Sequence, residues 1–301
     1  MPKMQKILFP TDFSDCAQQA MNHAIFLAEQ YGAELHLLHA VVLHDDLKDA
    51  LQSFPEAEDM YARVERLARS RAAELLAPHR SDTLVVHEVQ RRGVAAAEVI
   101  LDYARQEAVD LVVMGTHGRR GLGRLFLGSV AEEVVRLAPC PVLTLRQQED
   151  PRPVEMVQKI LVPVDFSDHS LRAVEIAADL ALLYGARLEL LHVVQPPAYP
   201  ELYYPGQATA TSVLDFPLLQ RRAKDSLDAL IDKKGLKDRA ESRVIEGYAG
   251  TEVPRHAEES KADLLVLSTQ GLTGLKHLML GSVAEKIVRI CTCPVLTVKA
   301  N

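Results

Sequence analysis

The stretch KILFPTDFSD, Lys6 to Asp15, returns as KILVPVDFSD, Lys159 to Asp168. Further along, LAEQYGAELHLLH (Leu27 to His39) returns as LALLYGARLELLH (Leu180 to His192), and LGSVAEEVVR (Leu127 to Arg136) as LGSVAEKIVR (Leu280 to Arg289). CPVLTL (Cys140 to Leu145) and CPVLTV (Cys293 to Val298) close the series, and every pair keeps one offset of 153 residues. Chance does not hold a single register across a whole domain, so the chain reads as two tandem copies of one unit. Its 301 residues suffice for two cores of ordinary size. The expected organisation is a first domain over 1–146, a linker over 147–158 containing QQEDPRPVEMVQ, and a second domain over 159–301.

Within each copy, apolar runs of strand length alternate with longer segments of helical period, the pattern of βα units and a mostly parallel sheet. In copy one, strands are expected at Lys6 to Phe9, Glu34 to Ala40, Leu84 to Gln90, Leu111 to Met114 and Val142 to Leu145. Helices are expected at Cys16 to Tyr31, Asp59 to Ala77, Ala95 to Gln106 and Val130 to Leu137. Gly32 and Gly185 read as helix C-caps, and Pro141 and Pro294 as the residues that open the last strands. The fold class is therefore α/β: two copies of a five-stranded open sheet flanked by helices, Rossmann-like. Because edge strands need cover, the copies are expected to pair through Val142 to Leu145 and Val295 to Val298 as an intramolecular pseudo-dimer.

A net charge of -7 and 48% hydrophobic residues disfavour a nucleic-acid partner or a polybasic membrane anchor, both of which need positive surface. The four cysteines lack the spacing of a secreted disulfide framework, and Cys291 and Cys293 have no second pair of ligands at zinc spacing, so no metal site is expected. The apolar run near the N-terminus is too short for a signal peptide, and the expected location is the cytoplasm. Small molecules or proteins are the partners to look for.

Ligands of a parallel α/β sheet sit beyond the carboxyl ends of the strands. Three places there stand out. Asp12 and Asp165 follow the first strand of each copy, where they can serve a ligand or the helix cap near Ser14 and Ser167. Gly115, Gly118, Gly128 and Ser129 follow the fourth strand, and glycines before a helix N-terminus let backbone N–H groups approach an anion. Ser129-Val-Ala-Glu132 and Ser282-Val-Ala-Glu285 also read as capping boxes, which need no ligand. His39 and His192 close the second strands and read as structural residues.

The glycine series, with the opening PTDFS, resembles the universal stress protein family, of the ATP-binding kind, over nearly all of both copies. Gly115, Gly118, Gly128 and Ser129 match the motif of that family fully; copy two has Ser268, Gly271, Gly281 and Ser282, so its first glycine is lost. The resemblance implies an adenine nucleotide, ATP with Mg2+, bound through backbone amides at Gly118, Gly128, Ser129 and Val130, and at Gly271, Gly281, Ser282 and Val283. It places Gly115 and Ser268 near the ribose, and Asp12 with Ala40, or Asp165 with Val193, against adenine. It also allows a homodimer and an unidentified protein partner.

The function so implied is a nucleotide-dependent stress-response regulator. The alternatives are a slow ATPase and a nucleotide-free interaction module. A dedicated phosphoryl-transfer enzyme would need Mg2+ ligands and a positioned base or charge clamp, and no such motif is present. Copy one is expected to be the better triphosphate site, because Ser268 replaces Gly115 and because Arg119, Arg120 and Arg124 become Leu272, Thr273 and His277. The proline- and tyrosine-rich segment Gln195 to Phe216 is a candidate lid or partner-binding loop.

Overall fold

The computed structural model describes residues 4–42, 56–79, 83–116, 127–149, 151, 153–195, 216–270 and 280–299. Copy one runs β1 (Lys6–Pro10), α1 (Asp15–Tyr31), β2 (Glu34–Val42), α2 (Glu56–Leu76), β3 (Val86–Gly93), α3 (Ala96–Gln106), β4 (Leu111–Gly115), α4 (Ser129–Leu137) and β5 (Val142–Leu145). Copy two repeats the order as β6 (Lys159–Pro163), α5 (Asp168–Tyr184), β7 (Arg187–Val194), α6 (Phe216–Lys233), β8 (Ala240–Glu246), α7 (Ala249–Glu259), β9 (Leu264–Ser268), α8 (Ser282–Ile290) and β10 (Val295–Val298).

Each copy is a parallel sheet of order 3-2-1-4-5, and the two merge into one ten-stranded sheet, β3-β2-β1-β4-β5-β10-β9-β6-β7-β8. The junction is the antiparallel pair β5–β10, with Leu143 opposite Leu296. Thr144 Oγ1 donates to the Val295 carbonyl at 3.2 Å, and Thr297 Oγ1 to that of Val142 at 3.1 Å, a two-fold exchange that follows from the repeated CPVLT. The expected pairing of the last strands is thus what the structure shows.

Alternation along the strands sorts the core into two layers. Ile7, Phe9, Leu35 and Leu37 face one side, with α1, α2, α5 and α6 over them. Leu8, Leu38 and Leu161 face the other, under α3, α4, α7 and α8. Both layers run through both copies: Leu143, Leu296 and Val298 share one cluster, and Phe26 of copy one stacks on Tyr184 of copy two at 5.1 Å. The two copies therefore stabilise one another by ordinary apolar burial.

Local signals act as read. Gly32 and Gly185 end α1 and α5 in the left-handed region, at φ 61° and 67°. The segment between the copies is packed down: Val154 and Val157 are buried, and Gln148 exchanges two hydrogen bonds with Gln19 on α1, at 2.8 and 2.9 Å. Among the described residues, no helix is long and apolar enough to cross a membrane.

Candidate functional site at the carboxyl edge

The strand order reverses between β1 and β4, and the residues that leave these strands frame a crevice at the carboxyl edge. After β1 the chain turns at once into α1. Asp12 Oδ1 accepts from the backbone N–H of Ser14 at 3.1 Å and from its hydroxyl at 2.6 Å, and the Ser14 hydroxyl oxygen in turn accepts from the Ala17 N–H, capping α1. Asp165 and Ser167 do the same for α5, at 3.0 and 2.5 Å. The two readings of these aspartates are compatible: the carboxylate organises the turn and stands at the edge where a ligand would lie.

The turn is strained in both copies. Phe13 has φ 61° and Phe166 has φ 64°, a left-handed conformation that costs a bulky residue roughly 1–2 kcal/mol. Thr11 Oγ1 accepts from the Phe13 N–H at 3.0 Å, and the Phe13 ring packs on His39 at 4.9 Å, as Phe166 does on His192. His39 Nδ1–H donates to the Thr11 carbonyl at 2.8 Å and His192 Nδ1–H to that of Val164 at 2.7 Å. These histidines are structural, as expected: they pin the first turn to the second strand.

Ala40 and Val193 come next on β2 and β7. Both pack on the layer under α3, α4, α7 and α8, and Val130 of α4 packs on the same layer. The structure thus brings the first turn, the end of β2 and the start of α4 to one edge of copy one.

The glycine turn begins at buried Thr116, whose N–H donates to the Leu145 carbonyl at 2.8 Å and whose own carbonyl accepts from the Gly128 N–H at 2.8 Å. In copy two the matching bonds run from Thr269 to Val298 at 2.9 Å and from Gly281 to Thr269 at 2.8 Å. Gly118 and Gly271 lie outside the described residues, as do Arg119, Arg120, Arg124, Leu272, Thr273, Lys276 and His277. The described residues on either side are tied together, Gly128 to Thr116 and Gly281 to Thr269, and each glycine leads straight into a helix.

That helix starts one residue earlier than the capping-box reading has it. Gly128 is the N-cap, extended at φ -64° and ψ 145°, and Ser129 is the first helical residue; the glycine has no side chain with which to cap the end. Gly281 and Ser282 repeat this arrangement. Val130 and Val283 thus lie in the first turn, where backbone N–H groups have no acceptor inside the helix and the dipole is positive. Glu132 does not close a box; it faces Arg289 of copy two at 3.8 Å. Lys299 of copy two caps the far end of α4, donating to the Val135 and Arg136 carbonyls at 2.7 Å each. Burial pushes that lysine down to about 8.

Gly115 does not need to be glycine for its backbone conformation. Its φ is not positive. A Cβ there would stand 2.8 Å from Cys16 Sγ, 3.1 Å from the Cys16 carbonyl carbon and 3.2 Å from the Ala17 nitrogen, because α1 starts directly against the end of β4. Ser268, at the matching place, is accommodated without a left-handed backbone and donates its hydroxyl to the Gln270 carbonyl at 2.7 Å. The conformational penalty expected at Ser268 is therefore absent.

A family model, the universal stress protein family, matches residues 3–146 and again 156–299. The chain belongs to that family. A universal stress protein of Methanocaldococcus jannaschii is 33% identical over 147 residues, 48% of this chain and 82% of that protein. One from Synechocystis is 24% identical over 315 residues, 98% of this chain and 99% of its own, so the tandem arrangement recurs in the family. The crystal structure of a universal stress protein from Archaeoglobus fulgidus shares the fold, with a TM-score of 0.67 at 19% identity, over 98% of this chain and 96% of that one.

Thr116 and Thr269, which hold the base of each candidate turn through their backbone, are not among the residues expected from the sequence. Their signal was present, since a threonine follows the fourth strand in both GTHG and STQG.

Proposed function

We propose that this universal stress protein is a nucleotide-dependent regulator in the stress response, with an adenine nucleotide, ATP with Mg2+, as the ligand of each copy. The observation that carries the reading is the start of α4 and of α8: a glycine N-cap, which has no side chain of its own to cap the helix, with its N–H tied back to the threonine after the strand. An anion such as a triphosphate satisfies such an end as a capping side chain otherwise would. Ser129 and Val130, with Gly118, would hold the phosphates in copy one; Ser282 and Val283, with Gly271, would do so in copy two. Asp12 with Ala40, and Asp165 with Val193, would face the base, and Gly115 and Ser268 the ribose. The family's name supports the stress-response part of the reading.

Isothermal titration of the full chain with Mg·ATP tests this. Two equivalents should bind to the parent protein. Gly128→Glu and Gly281→Glu, which place a carboxylate at the mouth of each helix, should each remove one. Full binding by the double variant would refute the site. Because the backbone at Ser268 is unstrained, an advantage of copy one would rest on its arginine-rich turn or on the bulk of Ser268 against the ribose, and raising the salt should shrink the part due to charge.

A further inference from the structure

At the opposite, amino-terminal end of copy one's strands, three side chains converge from β2 and β3. Glu34 and His36 are two residues apart on β2 and so point to one face, and the parallel register sets His87 of β3 directly beside His36. Their ligand atoms all lie within 4.8 Å of one another. Glu34 Oε2 is 3.5 Å from His36 Nε2 and 3.2 Å from His87 Nε2. Two ligands about 2.0–2.1 Å from a tetrahedral ion stand about 3.3 Å apart, so these separations already suit a shared cation.

We infer that Glu34, His36 and His87 form a binding site for a divalent transition-metal cation of the zinc class. Two imidazoles and one carboxylate are a donor set for borderline ions rather than for Mg2+ or Ca2+, and three protein ligands leave a fourth position to water.

His36 carries the argument. It is 5% exposed, and among the described residues its Nε2 makes no well-formed hydrogen bond, the Glu34 carboxylate standing at the limit of reach, 3.5 Å away. The other ring nitrogen, Nδ1, is 2.6 Å from the hydroxyl of Tyr103 on α3. Metal binding selects the tautomer in which Nδ1–H donates to Tyr103 and Nε2 turns its lone pair to the cation, the outer-shell support typical of ligating histidines. Desolvation by burial holds His36 below the usual imidazole range, ahead of the opposing Glu34 contact and the lesser effects of His87 and Lys6. His87 and Glu34 are about half exposed, which leaves the site open to solution.

Copy two shows what fills this place when the ligands are gone. Arg187 stands for Glu34, Glu189 for His36, and His256 for Tyr103. Buried Glu189 is met by Lys159 Nζ at 2.5 Å and by His256 Nε2 at 2.7 Å, so a cation of the chain itself completes the cluster. In copy one the matching lysine, Lys6, reaches instead for Glu107 at 3.1 Å. The imidazole–carboxylate cluster is left to a cation from outside.

Titration of the full, nucleotide-free chain with Zn2+ tests the site, with Co2+ absorption to report the donor atoms. One equivalent should bind, and the Co2+ complex should lack the thiolate charge-transfer band that a site at Cys291 and Cys293 would give. His87→Ala, at a half-exposed position, should weaken binding by more than about 100-fold, and Tyr103→Phe by about 10- to 100-fold, while Cys291→Ser leaves it unchanged. Circular dichroism in the presence of chelator should show every variant folded as the parent. Absence of stoichiometric binding, or affinity as tight as the parent's in His87→Ala and Glu34→Gln, would overturn the assignment.

Discussion

Replacing Gly115 with alanine should destabilise copy one although the backbone there suits any residue. The new Cβ meets two backbone atoms, the Cys16 carbonyl carbon at 3.1 Å and the Ala17 nitrogen at 3.2 Å, as well as Cys16 Sγ at 2.8 Å. A thiol can rotate, but the first turn of α1 can move only by shifting the helix off β4. Overpacking of this kind costs about 1–3 kcal/mol. The loss of chain freedom in the unfolded state returns about 0.4–1 kcal/mol, leaving a net cost of about 1–2 kcal/mol. For one cooperative unit of 301 residues that lowers Tm by about 2–3 °C. Thermal unfolding followed by circular dichroism should show the fall, and Cys16→Gly should restore only the part due to the sulfur. Ser268→Gly in copy two should change Tm by less, because that serine makes one hydrogen bond to the Gln270 carbonyl and occupies its place without strain. If Gly115→Ala is as stable as the parent, α1 does not seat against β4 as described.

Two further outcomes follow from the packing. Leu296, 3% exposed and opposite Leu143, closes a core common to both copies, so Leu296→Ala should cost about 2–5 kcal/mol and lower one shared transition in a calorimetric scan; a scan in which only copy two shifts would contradict the merged core. Burial lowers His23 on α1 from 6.5 to about 4, so the folded state keeps the ring neutral where the unfolded chain protonates it. Stability from this residue is fully present above pH 6.5 and is lost as the pH falls towards 4, by at most ~3 kcal/mol. His23→Gln should flatten the urea-midpoint profile over that window, and an unchanged slope would sink the assignment.

Much of this molecule is legible from residue order because its signals are local. The repeat of KILFPTDFSD, the period of each apolar run, Gly32 and Gly185 as C-caps, and the proline before each last strand all act through a few neighbouring residues, and they specify tandem α/β units without help from packing. Pairing of the last strands was also readable, since CPVLTL and CPVLTV are apolar edges that need cover. The glycine turns follow the fourth strand of each copy, but a residue string does not distinguish Ser129 as an N-cap from Ser129 as the first helical residue. That depends on where the Gly128 N–H finds its acceptor, and it finds the carbonyl of Thr116.

Only the tertiary structure decided the rest. Gly115 is needed because α1 crosses close to β4, a contact between residues about a hundred positions apart. Glu34 and His36 gain His87 as a neighbour because parallel register aligns β2 with β3 across an intervening helix, and spacing along the chain carries no trace of that alignment. Local preference selects the elements, and burial sets which of their faces meet; the side chains that act together at either edge of the sheet are chosen by that second step.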